Sequence, residues 1–143
     1  MTLYLDTSSL LKLYVDEPGS LDVLALVESA DVVATLTLTY TEARSALARR
    51  RREGLLSARG LAEVRRLLDT EWPALIHLDV TPALCAEAGD LAERYRLRAY
   101  DSLHLAAYAL VALDAGVEQT LFSSADVALS RAARALARTL LRR

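Results

Sequence analysis

Apolar positions along this chain alternate between short continuous runs and longer stretches at helical spacing. Thr2–Leu5 is too short for a helix and opens almost at the first residue, so it reads as a buried strand, ended by Asp6. Polar Thr7, Ser8 and Ser9 follow, and Leu10, Leu11, Leu13, Tyr14 and Val15 then recur at helical spacing until Pro18 and Gly19. Ser20–Ala30 predicts a helix, Val32–Leu36 a second strand, and Thr39 opens a helix to about Glu53 that Gly54 stops. Ser57 begins a further helix through Leu68 and Asp69, and Trp72 and Pro73 mark a junction before a third strand, Ala74–Leu78. Thr81 before Pro82 is a helix start, with Leu84, Ala88, Leu91 and Tyr95 repeating behind it. The most apolar stretch, Leu97–Ala115, carries leucine and alanine on most faces and predicts a central helix that Gly116 terminates. Gln119–Phe122 reads as a fourth strand. Ser124 is the candidate cap of a last helix bearing Val127, Leu129, Ala132, Ala133 and Leu136, and Leu140–Arg143 fits no element. Strands alternating with helices predict an α/β fold.

Composition narrows this. With 143 residues, 53% hydrophobic and 25% charged, residues 1–143 are expected to form a single folded domain. A formal net charge of -2 neither indicates nor excludes a nucleic-acid partner, because the local field matters more than the sum. One cysteine, Cys85, rules out an intrachain disulfide framework, and its apolar helical setting predicts a buried, inert thiol. No apolar run approaches a membrane span, and Asp6 interrupts the start too early for a secretory leader, so a cytoplasmic protein is expected.

Four acids stand where strands hand over to helices. Asp6 ends the first strand, Glu42 falls in the first turn of the helix after the second, Asp101 lies near the start of the long apolar helix, and Asp126 opens the last one. Each has a local explanation. Glu42, for instance, has the capping-box spacing if Thr39 is the N-cap. If the strands at Thr2, Val32 and Gln119 run parallel, however, their carboxyl ends share one edge, where open α/β sheets bind ligands. Carboxylates crowded there without cations would repel one another; one or two Mg²⁺ or Mn²⁺ ions would remove that cost and activate water against a phosphodiester. His104, three residues after Asp101, suits packing or hydrogen bonding rather than general-base work. His77 lacks any metal-ligand company and reads as structural. Arg44 with Arg49, Arg50, Arg51 and Arg52, and then Arg94, Arg96 and Arg98, are either solvated helix ends or phosphate contacts beside an acidic centre.

Four segments in order, YLDTSSLLKLYVDEPGS (Tyr4–Ser20), TYTEARSAL (Thr39–Leu47), RLRAYDSLHLAAYA (Arg96–Ala109) and FSSADVAL (Phe122–Leu129), make the chain resemble PIN-domain ribonucleases, in particular VapC-type toxins. The resemblance implies a PIN-like three-layer α/β/α fold with a central, mostly parallel sheet of four or five strands. It makes Asp6, Glu42 and Asp101 the core metal-binding acids and Asp126 a fourth, more variable one, all carrying Mg²⁺ or Mn²⁺. Ser8 would support the first acid, Ser124 stands where the family often has threonine, and the family's final strand leaves little trace here. The implied activity is that of an endoribonuclease toxin: metal-activated water cuts single-stranded or looped RNA, leaving a 5'-phosphate and a 3'-hydroxyl. The implied partners are a second copy in a homodimer and a cognate small antitoxin whose segment reaches the acidic centre. The alternative is a PIN-like RNA-binding or scaffold protein without catalysis. A structure-specific DNA nuclease would need further elements to grip a duplex. Phosphatases of the haloacid dehalogenase type and receiver domains fit poorly, because Ser8 stands where the phosphatase needs a second Asp, and Lys12, in the first helix, is the only lysine.

Overall fold

In the computed structural model, which describes residues 1–142, four strands alternate with seven helices. The strands are β1 (Thr2–Leu5), β2 (Val32–Leu36), β3 (Ile76–Leu78) and β4 (Thr120–Ser123). The helices are α1 (Thr7–Leu11), α2 (Ser20–Ser29), α3 (Thr37–Arg52), α4 (Ala58–Glu71), α5 (Pro82–Tyr95), α6 (Ala99–Ala115) and α7 (Val127–Leu140). The sheet order is β3-β2-β1-β4 and every pairing is parallel, with Thr2 opposite both Val32 and Thr120. All four carboxyl ends therefore lie along one edge. The chain leaves β1 on one side for β2 and β3, and β4 joins on the other, which makes the β1/β4 boundary the switch point where such sheets take ligands. The Asp6 amide donates to the Ser123 carbonyl at 3.1 Å and carries the ladder into that crevice.

Alternation along β1 sorts the core into two layers. Tyr4, with Ala34 and Leu36, faces Leu84, Leu91, Leu105 and Leu129 of α5, α6 and α7, whereas Leu3 and Leu5 face Leu10, Leu11, Val23, Leu47 and Leu68 of α1 to α4. Leu3, Tyr4 and Leu5 have no exposed surface, as a central parallel strand covered on both faces requires. Each buried leucine contributes about 1.5–3 kcal/mol. The polar crevice is thus built at the end of a strand whose last three residues are fully buried.

Several elements depart from the sequence reading. Helix α3 starts at Thr37, with Leu36 as an N-cap that makes no side-chain bond, because the Thr39 hydroxyl is buried against that of Thr35 at 2.7 Å. The stretch Trp72–Ala74 is a 3₁₀ turn, which suits the fixed φ of Pro73 and shortens the strand to Ile76–Leu78. Helix α6 begins at Ala99, since Arg96 adopts a left-handed φ of 55° that closes α5 first. Cys85 is exposed rather than buried: Leu84, Ala88 and Leu91 form the inward stripe, and the next residue lies about 100° round the helix. Centrality also fails for the far half of α6. Ser102, His104–Ala109 and Ala112 are buried, but Leu110 and Leu113 are 50% and 60% exposed. Seventeen residues span about 25 Å of helix, against about 17 Å for a five-residue strand, so α6 overruns the sheet. No fifth strand occurs among the described residues, where α7 runs to Leu140 and a turn follows; Arg143 lies outside them.

Two other expectations concern side chains away from the crevice. His77 stacks on Trp72 with ring centroids 4.3 Å apart and its Nε2 lies 2.8 Å from the Trp72 carbonyl, a structural role. In the arginine run, Arg49 pairs with Glu53 and Arg50 with Glu17, at 2.9 and 2.8 Å. Arg51 and Arg52 are exposed.

Candidate metal centre at the carboxyl edge of the sheet

Asp6 is fixed at both oxygens. Its Oδ1 accepts from the Ser9 amide at 2.9 Å, which makes it the N-cap of α1, and from the Ser8 hydroxyl at 2.7 Å. Its Oδ2 accepts from the Ser124 hydroxyl at 2.5 Å, and the carboxyl residue as a whole is 4% exposed. Asp6 is thus the N-cap of α1 and at the same time the link to the β4–α7 loop. Ser124 does not cap the last helix, because its hydroxyl is committed to Asp6 and to the Asp126 amide at 3.0 Å. The cap is Asp126 itself, whose Oδ1 accepts from the Leu129 amide at 2.7 Å. Ser8 also accepts from the Ala125 amide at 2.9 Å, so the β4–α7 loop is laced onto the β1–α1 turn.

Glu42 sits in the second turn of α3, three residues further in than the capping-box reading had it, and has no capping duty. Its Oε1 accepts from the Thr7 hydroxyl at 2.8 Å and lies 2.9 Å from His104 Nε2. Burial pushes this carboxyl up, but the hydrogen bonds from His104 and Thr7, with electrostatic attraction to His104 added, bring it below the usual glutamate range. Asp101, in the first turn of α6, moves the other way. Burial raises it, the Arg98 guanidinium at 3.6 Å opposes, and the charges of Asp126 and Asp6 raise it further.

Those last two causes locate the acids relative to one another. The charges of Asp126 and Asp6 reach Asp101, while Glu42 is tied to Thr7, the neighbour of Asp6, and to His104, on the helix of Asp101. Among the described residues no three Asp, Glu, His or Cys side chains close into a ready ligand cage. Mg²⁺ does not need one, since it keeps several waters and takes one or two carboxylates directly. An all-oxygen donor set whose like charges raise Asp101 fits a hard divalent cation by its chemistry.

Sequence reasoning missed Thr7 and Tyr4. Thr7 looked like one of three interchangeable turn hydroxyls, and Tyr4 like an ordinary strand residue; its hydroxyl lies 3.0 Å from His104 Nδ1 in the buried layer beneath the acids. His104, expected to pack or hydrogen-bond, does both between them.

The family model described as "PIN domain" matches residues 3–135. Two Mycobacterium tuberculosis proteins from different strains, "Ribonuclease VapC45" and "Ribonuclease VapC49", are each 35% identical over 114 residues, 80% of this chain and 78% of theirs. Among solved structures, PAE2754 from Pyrobaculum aerophilum superposes with a TM-score of 0.65 at 23% identity, over all of this chain and 91% of that one. M. tuberculosis VapC20, described as a sarcin-ricin loop cleaving toxin, gives 0.64 at 19% identity, over 91% of this chain and 94% of that one. These two carry the fold.

Proposed function

The chain belongs to the PIN-domain family, and from that premise we propose that residues 1–143 act as one nuclease domain, an endoribonuclease toxin whose site is the carboxylate group Asp6, Glu42, Asp101 and Asp126. The single observation that supports this site is the hydrogen-bond net at the carboxyl edge of the sheet, in which Asp6 accepts from Ser8 and Ser124, Asp126 caps the helix that follows Ser124, and Glu42 is tied to Thr7 and to His104 on the helix of Asp101. Asp6 would be the rigid member, clamped at both oxygens by Ser8, Ser9 and Ser124. Glu42 keeps its charge through Thr7 and His104, and Asp101 takes the strain of the crowded negative field. A bound Mg²⁺ or Mn²⁺ would supply a more acidic water and positive charge opposite the reacting phosphate. Arg98, with its side chain 85% exposed beside Asp101, and the exposed Arg51 and Arg52 are suited to phosphate contacts that position RNA without reading its sequence.

We further propose that the protein works in the cytoplasm, pairs with a small cognate antitoxin and forms a homodimer. No helix among the described residues is long and apolar enough to cross a membrane. Exposed Ile76, Leu110 and Leu113 give a second copy an apolar surface to cover. The test is cleavage of a mixed tRNA and ribosomal RNA pool by the antitoxin-free chain with Mg²⁺, Mn²⁺ or chelator, beside Asp101→Asn and Glu42→Gln. Metal-dependent cutting that falls at least about 100-fold in both variants is expected, equivalent to a few kcal/mol of lost transition-state stabilisation. Equal cutting by all three proteins would sink the site. RNA binding without cutting by any of them would favour the RNA-binding or scaffold reading.

A further inference from the structure

Beside the acids, Tyr4, His104 and Thr7 form a buried or half-buried group that leads to Glu42 and that the carboxylate chemistry does not itself require. Tyr4 Oη lies 3.0 Å from His104 Nδ1, and His104 Nε2 lies 2.9 Å from Glu42 Oε1 and 3.4 Å from Thr7 Oγ1. Tyr4 has no exposed surface and His104 is 2% exposed, so neither partner can be exchanged for water. The polarity of the chain follows from what each group is able to donate. Ionised Glu42 only accepts. Thr7 has already given its proton to Glu42 at 2.8 Å, so its oxygen also turns a lone pair toward the ring. Two acceptors face Nε2, and Nε2 must therefore carry the proton. In the neutral ring Nδ1 is then an acceptor, and the Tyr4 hydroxyl facing it is its donor.

The ring is also held sterically. It packs edge-on to Tyr4 with centroids 6.0 Å apart, and Tyr4 stacks on Phe122 at 5.7 Å with an interplanar angle of 7°. Tyr108 closes the cluster edge-on to both. A histidine in such a socket cannot turn away from the carboxylate without vacating a buried space. Both hydrogen bonds to Glu42 fall on Oε1, and among the described residues Oε2 receives none.

We infer that His104 is a positioning residue: anchored by Tyr4 in the Nε2–H tautomer, it holds Glu42 by Oε1 and leaves Oε2 as the oxygen free to take the divalent cation. The inference rests on the metal-centre reading above. Outer partners of this kind orient a ligand and keep it charged, and their removal costs about 10–100-fold in metal affinity. Glutamine places an amide nitrogen near the position of Nε2 and leucine fills similar space with no donor, which separates hydrogen bonding from packing.

The test uses the full-length chain in two measurements. Long-range ¹⁵N–¹H spectra without metal report the tautomer of each of the two histidines, with His104→Gln assigning the signals; the Nε2–H form is expected for His104, and the Nδ1–H form would overturn the proposal. Mn²⁺ titration calorimetry then compares wild type, His104→Gln, His104→Leu and Tyr4→Phe. Expected are a loss of about tenfold or more for leucine, a smaller loss for Tyr4→Phe, and affinity within about threefold of wild type for glutamine. A leucine variant that melts like wild type and binds Mn²⁺ equally well overturns the relay while leaving the metal centre standing. Should leucine not fold, unchanged Mn²⁺ affinity in Tyr4→Phe overturns it instead. Wild type that binds no Mn²⁺, or Asp101→Asn that binds it unchanged, overturns the metal-centre reading itself and this proposal with it.

Discussion

The two ends of α6 break the same rule in opposite directions. Its first turns bury Ser102 and His104 beside half-buried Asp101, while its last turns leave Leu110 and Leu113 half or more exposed. The polar end is the costly one, because a buried polar group must find a partner. Here each does: Ser102 donates to the Ala99 carbonyl at 2.8 Å, His104 lies between Tyr4 and Glu42, and no buried side-chain donor or acceptor is left unpaired among the described residues. The apolar end needs no partners and lies beside a cavity lined by Thr2, Val32, Ile76, Leu110 and Asp114, at the opposite end of the sheet from the acids. Polar groups were buried where the carboxyl edge of the sheet offers them partners; apolar ones were left out where the helix outruns the sheet.

Substitutions along this one helix can break or sharpen that contrast. The largest effect is the loss of RNA cleavage in Asp101→Asn described above. The next falls at the middle of α6, where Leu105 has no exposed surface; Leu105→Ala should cost about 2–5 kcal/mol in urea unfolding, the range for truncating a leucine packed in a core cluster. Asp101→Asn should, in the same assay without metal, raise stability at neutral pH. The folded state holds the Asp101 proton more tightly than the unfolded chain, so the stability linked to protonation is present below the unfolded value near 3.8 and is lost as pH rises through the raised folded one. The advantage of the asparagine should accordingly shrink as pH falls toward 4, and an unchanged or lower stability at neutral pH would contradict a strained acid. Glu42 carries the opposite sign: its lowered carboxyl supports the fold above about 4.5, and that support is lost as the pH drops through its folded value, so Glu42→Gln should lose stability at neutral pH. Smallest is Leu113→Lys at the exposed end, where monomer stability should change by less than about 0.5 kcal/mol. Light scattering of that variant separates a free surface from a covered one: a homodimer that uses this end would fall to half its mass.

How far the sequence foretold this depends on the element. β1 and β2 were legible to the residue, because short β-rich runs bounded by Asp6 and by a threonine-led helix leave little choice. The positions of Asp6 and Asp101 were legible as well, one ending a strand and the other lying in the first turn of an apolar helix. The capping-box reading of Glu42 failed: the spacing was present, but Thr39 spends its hydroxyl on Thr35, a contact between a strand and a helix that no local pattern reveals. Ser124 and Asp126 exchanged roles because either can cap, and the choice was decided by Asp6, 118 residues away from Ser124. Tyr4 was invisible for a similar reason, since its partner lies 100 residues distant. Cys85 and the far half of α6 were misplaced because apolar composition does not tell which side of a helix has a neighbour.

The most direct test is a crystal of the metal-free chain soaked in Mn²⁺ and measured at the manganese absorption edge. The account predicts an anomalous peak in the crevice between β1 and β4, within about 2.0–2.6 Å of a carboxylate oxygen of Asp6, Glu42 or Asp101. A well-occupied peak elsewhere with none among these acids would contradict it.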